Sequence, residues 1–333
     1  MKRAISGWRR KGMVWIIGVG LAAFFLVSSV VSAEAQSFPS KPVTVIVPAP
    51  PGGTADISMR IIAHKLNENL GQQIVVDNRP GAGGIIASQL AIKAAPDGYT
   101  VFMNYTSHAV NPSLYTKLPY DSVKDFAPVT LLGITPLVLV VHPSVPAHTI
   151  AEFIAYAKAN PGKLNYGSAA IGGASHLGGE LLNIKAGIDI VHIPYKGGAA
   201  AVADVISGQI QMGLDSLLVM QPHIKAGKVR ALGVTSLKRT EISPNLPAIS
   251  ETIPNYEANA WFGIMVPAAT PREIITRLNV EFVKVLRTPE IKERLTLQGF
   301  IAVGNSPEEY SKFLQSEMEK WSNVVRIAGV KAQ

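Results

Sequence analysis

The 333-residue chain contains no cysteine, so no disulfide braces it, and the thiolates that most structural zinc sites use are missing. Its seven histidines are scattered without metal-ligand spacing, and neither a metal nor a cofactor is expected. Beyond the first eleven residues Lys and Arg form no block and do not alternate with aromatics, which removes the basis for nucleic-acid binding. No G-x-x-x-x-G-K-[ST] phosphate loop occurs, and Gly81-Ala82-Gly83-Gly84-Ile85-Ile86 lacks the last glycine of the dinucleotide fingerprint. Gly173-Ala174-Ser175-His176-Leu177 departs from a nucleophile elbow at its final position, and Gly178 comes one residue late. A secreted serine hydrolase using Ser175 is therefore only a remote alternative, and the chain is expected to catalyse no reaction.

Long apolar runs are also lacking, except at the start. Lys2, Arg3, Arg9, Arg10 and Lys11 precede an apolar stretch over 13–31, and Ala33-Glu34-Ala35 supplies a small-x-small cleavage signal. The segment 1–35 reads as a signal peptide cut after Ala35, leaving 333 − 35 = 298 residues; an uncleaved anchor is the alternative. Removing five basic residues and one acidic lowers the net charge from +8 to 8 − 4 = +4. Later apolar runs are strand-length and broken by Pro or Gly, so the mature chain is expected outside the cytoplasmic membrane, in the periplasm.

Nearly three hundred residues exceed what one hydrophobic core usually serves, which predicts two domains. The pattern repeats strand, glycine-rich turn and helix: strands near 43–47, 73–76 and 99–103, then 137–141, 163–166, 190–193, 212–214, 231–235 and 261–266, with helices between. Such alternation predicts a doubly wound α/β arrangement with mostly parallel strands. The helical block after 271 has too few strands to stand alone and is expected to pack back on the first domain. Domain 1 would then comprise 36–136 plus 260–333, and domain 2 the inserted 137–259. Two crossings give a hinged pair with a cleft.

Paired glycines mark three strand-to-helix junctions, Gly52-Gly53, Gly172-Gly173 and Gly197-Gly198. Glycine lets the backbone come close to a ligand. The helix that follows presents free N–H groups and a partial positive charge, suited to an anion. At the carboxyl ends of strands in open α/β sheets, such junctions are where ligands bind. Carboxylate capture by backbone donors is the chemistry this implies. Thr54, Ser168 and Ser175 read either as hydroxyl donors to that anion or as N-caps. Asp56, in the first helical turn, reads as a cap. The polar 104–108 reads as cleft lining or as a surface turn, and Asp215-Ser216 has the same strand-end placement. His192, in an apolar strand, reads as a satisfied core residue, and Trp261 and Phe262 as packing.

The ordered set of motifs resembles the Bug-type extracytoplasmic solute receptors of tripartite tricarboxylate transporters. It comprises Pro50-Pro51-Gly52-Gly53-Thr54-Ala55-Asp56, Asn78-Arg79-Pro80-Gly81-Ala82-Gly83-Gly84, Ala95-Pro96-Asp97-Gly98-Tyr99-Thr100, Asn165-Tyr166-Gly167-Ser168, Pro194-Tyr195-Lys196-Gly197 and Trp261-Phe262-Gly263. Asp77 stands where many relatives have Glu, and Ala87 replaces a frequent glycine. The resemblance implies a type II periplasmic-binding-protein fold, two doubly wound α/β domains joined by a hinge with the ligand cleft between them. It further implies a carboxylate ligand, whether di- or tricarboxylate, acidic amino acid or aromatic acid. A single copy would pass it to possible integral membrane transporter subunits or, alternatively, present its bound form to a signalling partner. Carried over by position, the first-domain contacts would be Gly52, Gly53, Thr54, Asp56, Tyr105, Thr106 and Ser107. Those of the second domain would be Ser168, Ala169, Gly172, Gly173, Ser175, His176, Lys196, Gly197 and Asp215.

Overall fold

The computed structural model describes residues 38–332; the leader, with its charged start and cleavage signal, lies outside the described residues. Lys41–Gln333 pack as one compact unit built on two sheets. The first holds β1 (Val43–Val47), β2 (Ile74–Asn78), β3 (Thr100–Tyr105), β4 (Phe126–Thr135), β10 (Ala260–Pro267) and β11 (Ile301–Ala302), in the order β11-β4-β10-β3-β1-β2. The second holds β5 (Leu137–Val141), β6 (Leu164–Ser168), β7 (Ile190–Pro194), β8 (Met212–Ser216) and β9 (Arg230–Val234), in the order β7-β6-β8-β5-β9. The central strands are β-branched and apolar because both faces are covered: every residue of Leu137-Val-Leu-Val-Val141 is buried.

Ten α-helices flank the sheets among the described residues. In chain order they are α1 (Thr54–Leu70), α2 (Ile85–Ile92), α3 (Thr106–Leu114), α4 (Ile150–Ala159), α5 (Ala174–Ala186), α6 (Gly198–Ser207), α7 (Leu217–Lys225), α8 (Arg272–Leu286), α9 (Pro289–Leu297) and α10 (Pro307–Ala328). None of the described helices is long and apolar enough to cross a membrane.

The expectation of mostly parallel strands is corrected. β1 runs parallel to β2 and β3, and β6 to β7 and β8. By contrast β10 is antiparallel to β3 and β4, β11 to β4, and β5 to β8 and β9. Of the four parallel pairs, β1/β2 and β6/β7 are single strand–helix–strand units opened by glycine turns, and β1/β3 and β6/β8 follow from a second such crossover through β2 and β7. The strands that carry the chain from one sheet to the other, β4 into β5 and back through β10, are not tied to their neighbours by such crossovers and are free to run the other way.

The chain leaves the first sheet at Pro136 and returns to it after Asn259. Thr235, fully buried, holds both crossings: its Oγ1 accepts from the Leu137 amide at 2.8 Å and donates to Asn259 Oδ1 at 3.2 Å. The helices after β10 lie against the first sheet, and α10 also packs along α3 and α5. Its root is polar: Glu317 Oε2 accepts from both Trp261 Nε1 and Trp321 Nε1 at 2.8 Å. Tyr310 donates to Asn104 Oδ1 at 2.5 Å, beneath the end of β3. Gly263 is required there because the Tyr310 hydroxyl occupies the space a Cβ would fill.

Candidate functional site

The parallel strands of each sheet end on one side, and each ending feeds a helix. The residues that start those helices are Gly53 for α1, Tyr105 for α3, Gly173 for α5, Gly197 for α6 and Ser216 for α7, and none supplies a side-chain cap. Elsewhere α4 and α10 are capped by Thr149 and Ser306, whereas Gly84, Pro271 and Thr288 leave α2, α8 and α9 without a side-chain cap as well; what sets the five apart is their place at the ends of the strands. A side-chain oxygen normally occupies the free first-turn amides; here five strand-end helices keep them available for an acceptor that is not their own side chain.

Within the first sheet, the turn after β1 is held from below. Asp56 is 3% exposed and accepts from the Gly52 amide at 2.9 Å and from Arg60 Nε at 2.9 Å. Arg60 reaches on to Asn78 Oδ1 at 3.0 Å, and Asn78 donates to Ala49 O at 3.0 Å. Burial alone would raise the Asp56 carboxyl, but the bonds from Arg60 and Gly52 outweigh it and hold the group below its ordinary range. The Tyr105 hydroxyl meets Pro48 O at 3.4 Å, and burial pushes it up to about 12. Thr106 and Ser107 are both 3% exposed. Thr106 Oγ1 accepts from the Trp261 amide at 3.4 Å, and Ser107 Oγ donates across to Gly172 O at 3.5 Å.

Gly172 belongs to the second sheet's turn, between β6 and α5. Its φ is +74°, and a Cβ there would run into Leu114 of α3, so the two sheets meet at this residue and only glycine fits. The turn after β7 is strapped to the same place, since the Tyr195 amide donates to Ser168 O and the Gly197 amide to Ala169 O, each at 3.0 Å. Asp215, at the end of β8, takes the Ser216 amide on Oδ1 at 2.7 Å. Its Oδ2 lies 3.1 Å from where a Gly198 Cβ would stand, at the start of α6. Burial pushes this carboxyl above its ordinary range despite the Ser216 amide. Ser168, Ala169, Ser175, Gly198 and Asp215 line a cavity of about 10 Å³, at the lower bound for one water. A hollow of about 1050 Å³ lies elsewhere, beside Asn279, Lys284 and Arg287. It is open to solvent and lined by exposed cations, whereas the turns bring free amides from both sheets to one place; the turns are the candidate site.

A sequence profile of the tripartite tricarboxylate transporter family receptor, TctC, matches residues 58–330. A curated relative, from the tcbD-tcbE intergenic region of Pseudomonas sp. strain P51, is 40% identical over 308 residues, covering 92% of each chain. The chain belongs to the TctC family of receptors. Among solved structures, Rpa4515 of R. palustris with adipate is 36% identical with a TM-score of 0.80, over 88% of this chain and 99% of that one. MatC of Rhodopseudomonas palustris with bound malate is 31% identical with a TM-score of 0.75, over 86% and 100%. The fold is accordingly that of two-domain periplasmic binding proteins.

In this TctC receptor the residues carried over from the motifs fall into two groups. Gly53, Thr54, Tyr105, Thr106, Ser107, Gly172, Gly173, Ser175 and Gly197 lie at the converging helix starts, as does the exposed Lys196, next to Gly197. Others lie behind the turns. The Gly52 amide is committed to Asp56, whose carboxylate faces Arg60. Ser168 Oγ donates to Ala170 O at 3.1 Å and meets His192 Nε2 at 2.7 Å. His176, 3% exposed, accepts the Gly172 amide on Nδ1 at 3.0 Å. None of Thr54, Ser168 and Ser175 is an N-cap, and 104–108 is the buried end of β3 and start of α3 rather than a surface turn. No imidazole hydrogen-bonds Ser175 among the described residues.

Sequence reasoning missed His192. It is no isolated core histidine: its ring stacks on His176 with centroids 3.7 Å apart. The register pairs it with Tyr166. A polar ring in an apolar strand two residues before a glycine-turn motif was the available signal. Gly84, packed against Pro48 and the Tyr105 ring, was missed as well: its motif was read for dinucleotide binding and for the family resemblance, but not as a packing point behind the site.

Proposed function

We propose that this TctC receptor captures a small carboxylate in the gap between its two lobes outside the cytoplasmic membrane, and hands it to integral membrane subunits without chemical turnover. The observation that carries this is the set of uncapped helix starts contributed by both sheets. Their amides, assisted by the Thr106 and Ser175 hydroxyls, offer an anion several donors without a charged partner. The adipate and malate held by the two solved relatives fit that chemistry. The lobes, 36–136 with 260–333 and 137–259, close about the crossings that Thr235 ties, with ligand stabilising the closed form.

The test is a thermal-shift screen of di- and tricarboxylates, acidic amino acids and aromatic acids on the purified protein, followed by calorimetry. A true ligand at 100 times its Kd stabilises by about 2.7 kcal/mol and stands out from the matched amides. A screen in which no carboxylate shifts the transition, or in which an ester substrate is turned over, overturns the reading.

A further inference from the structure

Beneath the Gly172-Gly173 turn lies a buried polar cluster whose hydrogen positions the geometry determines. With the single hydroxyl hydrogen of Ser168 assigned to Ala170 O, its Oγ is left to accept from His192 in the tautomer protonated on Nε2. His176 accepts the Gly172 amide on Nδ1, so this ring is protonated on Nε2 and unprotonated at Nδ1. Its Nε2 looks toward Glu180 Oε1 at 3.8 Å, and that oxygen already accepts from the Tyr166 hydroxyl at 2.6 Å. Thus Ser168 holds the turn at the Ala170 carbonyl and His176 holds it at the Gly172 amide.

We propose that His176 is the positioning residue of the second lobe's binding turn: its neutral ring fixes the Gly172 amide, and protonation of Nδ1 releases the turn. This rests on the carboxylate reading above only for its effect on ligand. A protonated Nδ1 is a donor facing a donor, and that contact cannot survive. His192 behaves differently, because protonation adds a hydrogen at Nδ1 and leaves its Nε2–H bond to Ser168 intact. Among the other titratable groups nearby, Glu180 of α5 faces Nε2 with a carboxyl that burial pushes above its ordinary range. Tyr166 of β6 donates to Glu180 and Tyr256 donates to Gly178 O at 2.9 Å. Asp215 of β8 holds the Ser216 amide, while Glu317 and Lys320 of α10, which packs along α5, pair with each other. Burial and then the His192 ring lower His176 to about 3 from an ordinary 6.5, and burial lowers His192 to about 4.

The sign follows. The held turn keeps His176 neutral, whereas a released turn lets it return toward 6.5, so the released form binds more protons and gains as pH falls below that value. Between pH 7.5 and pH 5 the balance shifts toward release about thirtyfold. Amide exchange in residues 168–176, corrected for its intrinsic pH dependence, should show protection falling by about that factor in the wild type. His176→Ala should lose protection at both pH values. His176→Asn, whose Oδ1 can accept from Gly172 and never titrates, should restore protection and flatten the profile. A wild-type profile that follows intrinsic chemistry overturns the proposal, as does a His176→Ala turn as protected as wild type; if that variant does not fold, the wild-type and His176→Asn profiles decide. Adipate titrated calorimetrically should bind more weakly at pH 5 in step with release, and binding unchanged while the turn opens also overturns it. A turn that responds as described in a protein that binds neither adipate nor malate at any pH would leave the tether standing and sink the carboxylate reading instead.

Discussion

At the scale of single residues, neighbouring glycines do different work. Gly53 has φ −85°, and a Cβ on it would meet only Pro50 O at 3.8 Å. Gly53→Val should therefore fold with an unchanged melting temperature yet lose most of its carboxylate affinity, because the added methyls stand over the α1 amides. Gly172→Ala meets both a positive φ and Leu114, and should destabilise the fold by about 1–3 kcal/mol as well as weaken binding. Urea melts and calorimetry on the two variants separate these outcomes; equal destabilisation would mean that Gly53 is held in place by packing. Asp56→Ala frees the Gly52 amide and Arg60 together, and should cost about 2 kcal/mol, the scale of charged hydrogen bonds. Since the folded Asp56 carboxyl lies below its ordinary value of 3.8, its contribution is present above that value and lost as pH falls through the folded one. A melt between pH 7.5 and pH 5 should thus be blind to Asp56, and any binding loss in that window belongs elsewhere.

At the scale of elements, Thr235 is the tie between the two crossings. Thr235→Val keeps the shape but leaves the buried Leu137 amide and Asn259 side chain without their shared partner. It should cost about 1–3 kcal/mol and alter the dependence of closure on ligand; a urea midpoint equal to wild type would show that the crossings hold without it. What could be read here from sequence followed turn chemistry. Gly-rich turns after β-branched runs located β1 and β7, and the glycine turn alone located β6, together with the helices after them. Besides the two-residue β11, the elements that escaped contain proline: Pro112 inside α3, Pro222 inside α7 and Pro128 inside β4. Proline argues against helix and central strand locally, and burial overrides it. Seven of the nine residues of α3 are buried, Thr106 to Asn111 and Leu114, and Pro128 sits where the β4–β10 register shifts, a place that needs no ladder amide. The candidate site was legible as glycines and hydroxyls, but not which faced outward. Whether Ser168, His176 and Asp56 meet a ligand or brace a turn depends on a partner far away in sequence, as His192 shows.

At the scale of the whole molecule, the two sheets are expected to open and close, yet they share a core. One contiguous cluster of buried side chains includes Phe102 and Leu131 of the first sheet, Leu139 and Tyr166 of the second, and Trp321 and Leu314 of α10. The shortage of strands after 271 led to the expectation that the C-terminal helices pack back on the first sheet; it could not tell that α10 also lies along α5, beside the second, because an apolar stripe says that a face is covered and not by what. The consequence is energetic. Unfolding either lobe alone would strip α10 of part of its cover and expose Trp261 and Trp321 with the buried Glu317 between them, so partial unfolding is penalised by the interface that both lobes share. Differential scanning calorimetry should show a single transition with equal calorimetric and van't Hoff enthalpies, and ligand should move that transition as a unit. Leu314→Ala, a buried truncation costing about 2–5 kcal/mol, should lower it without splitting it. Two resolved transitions in the wild type would mean that α10 belongs to one lobe only, and that the lobes are joined by their crossings and nothing more.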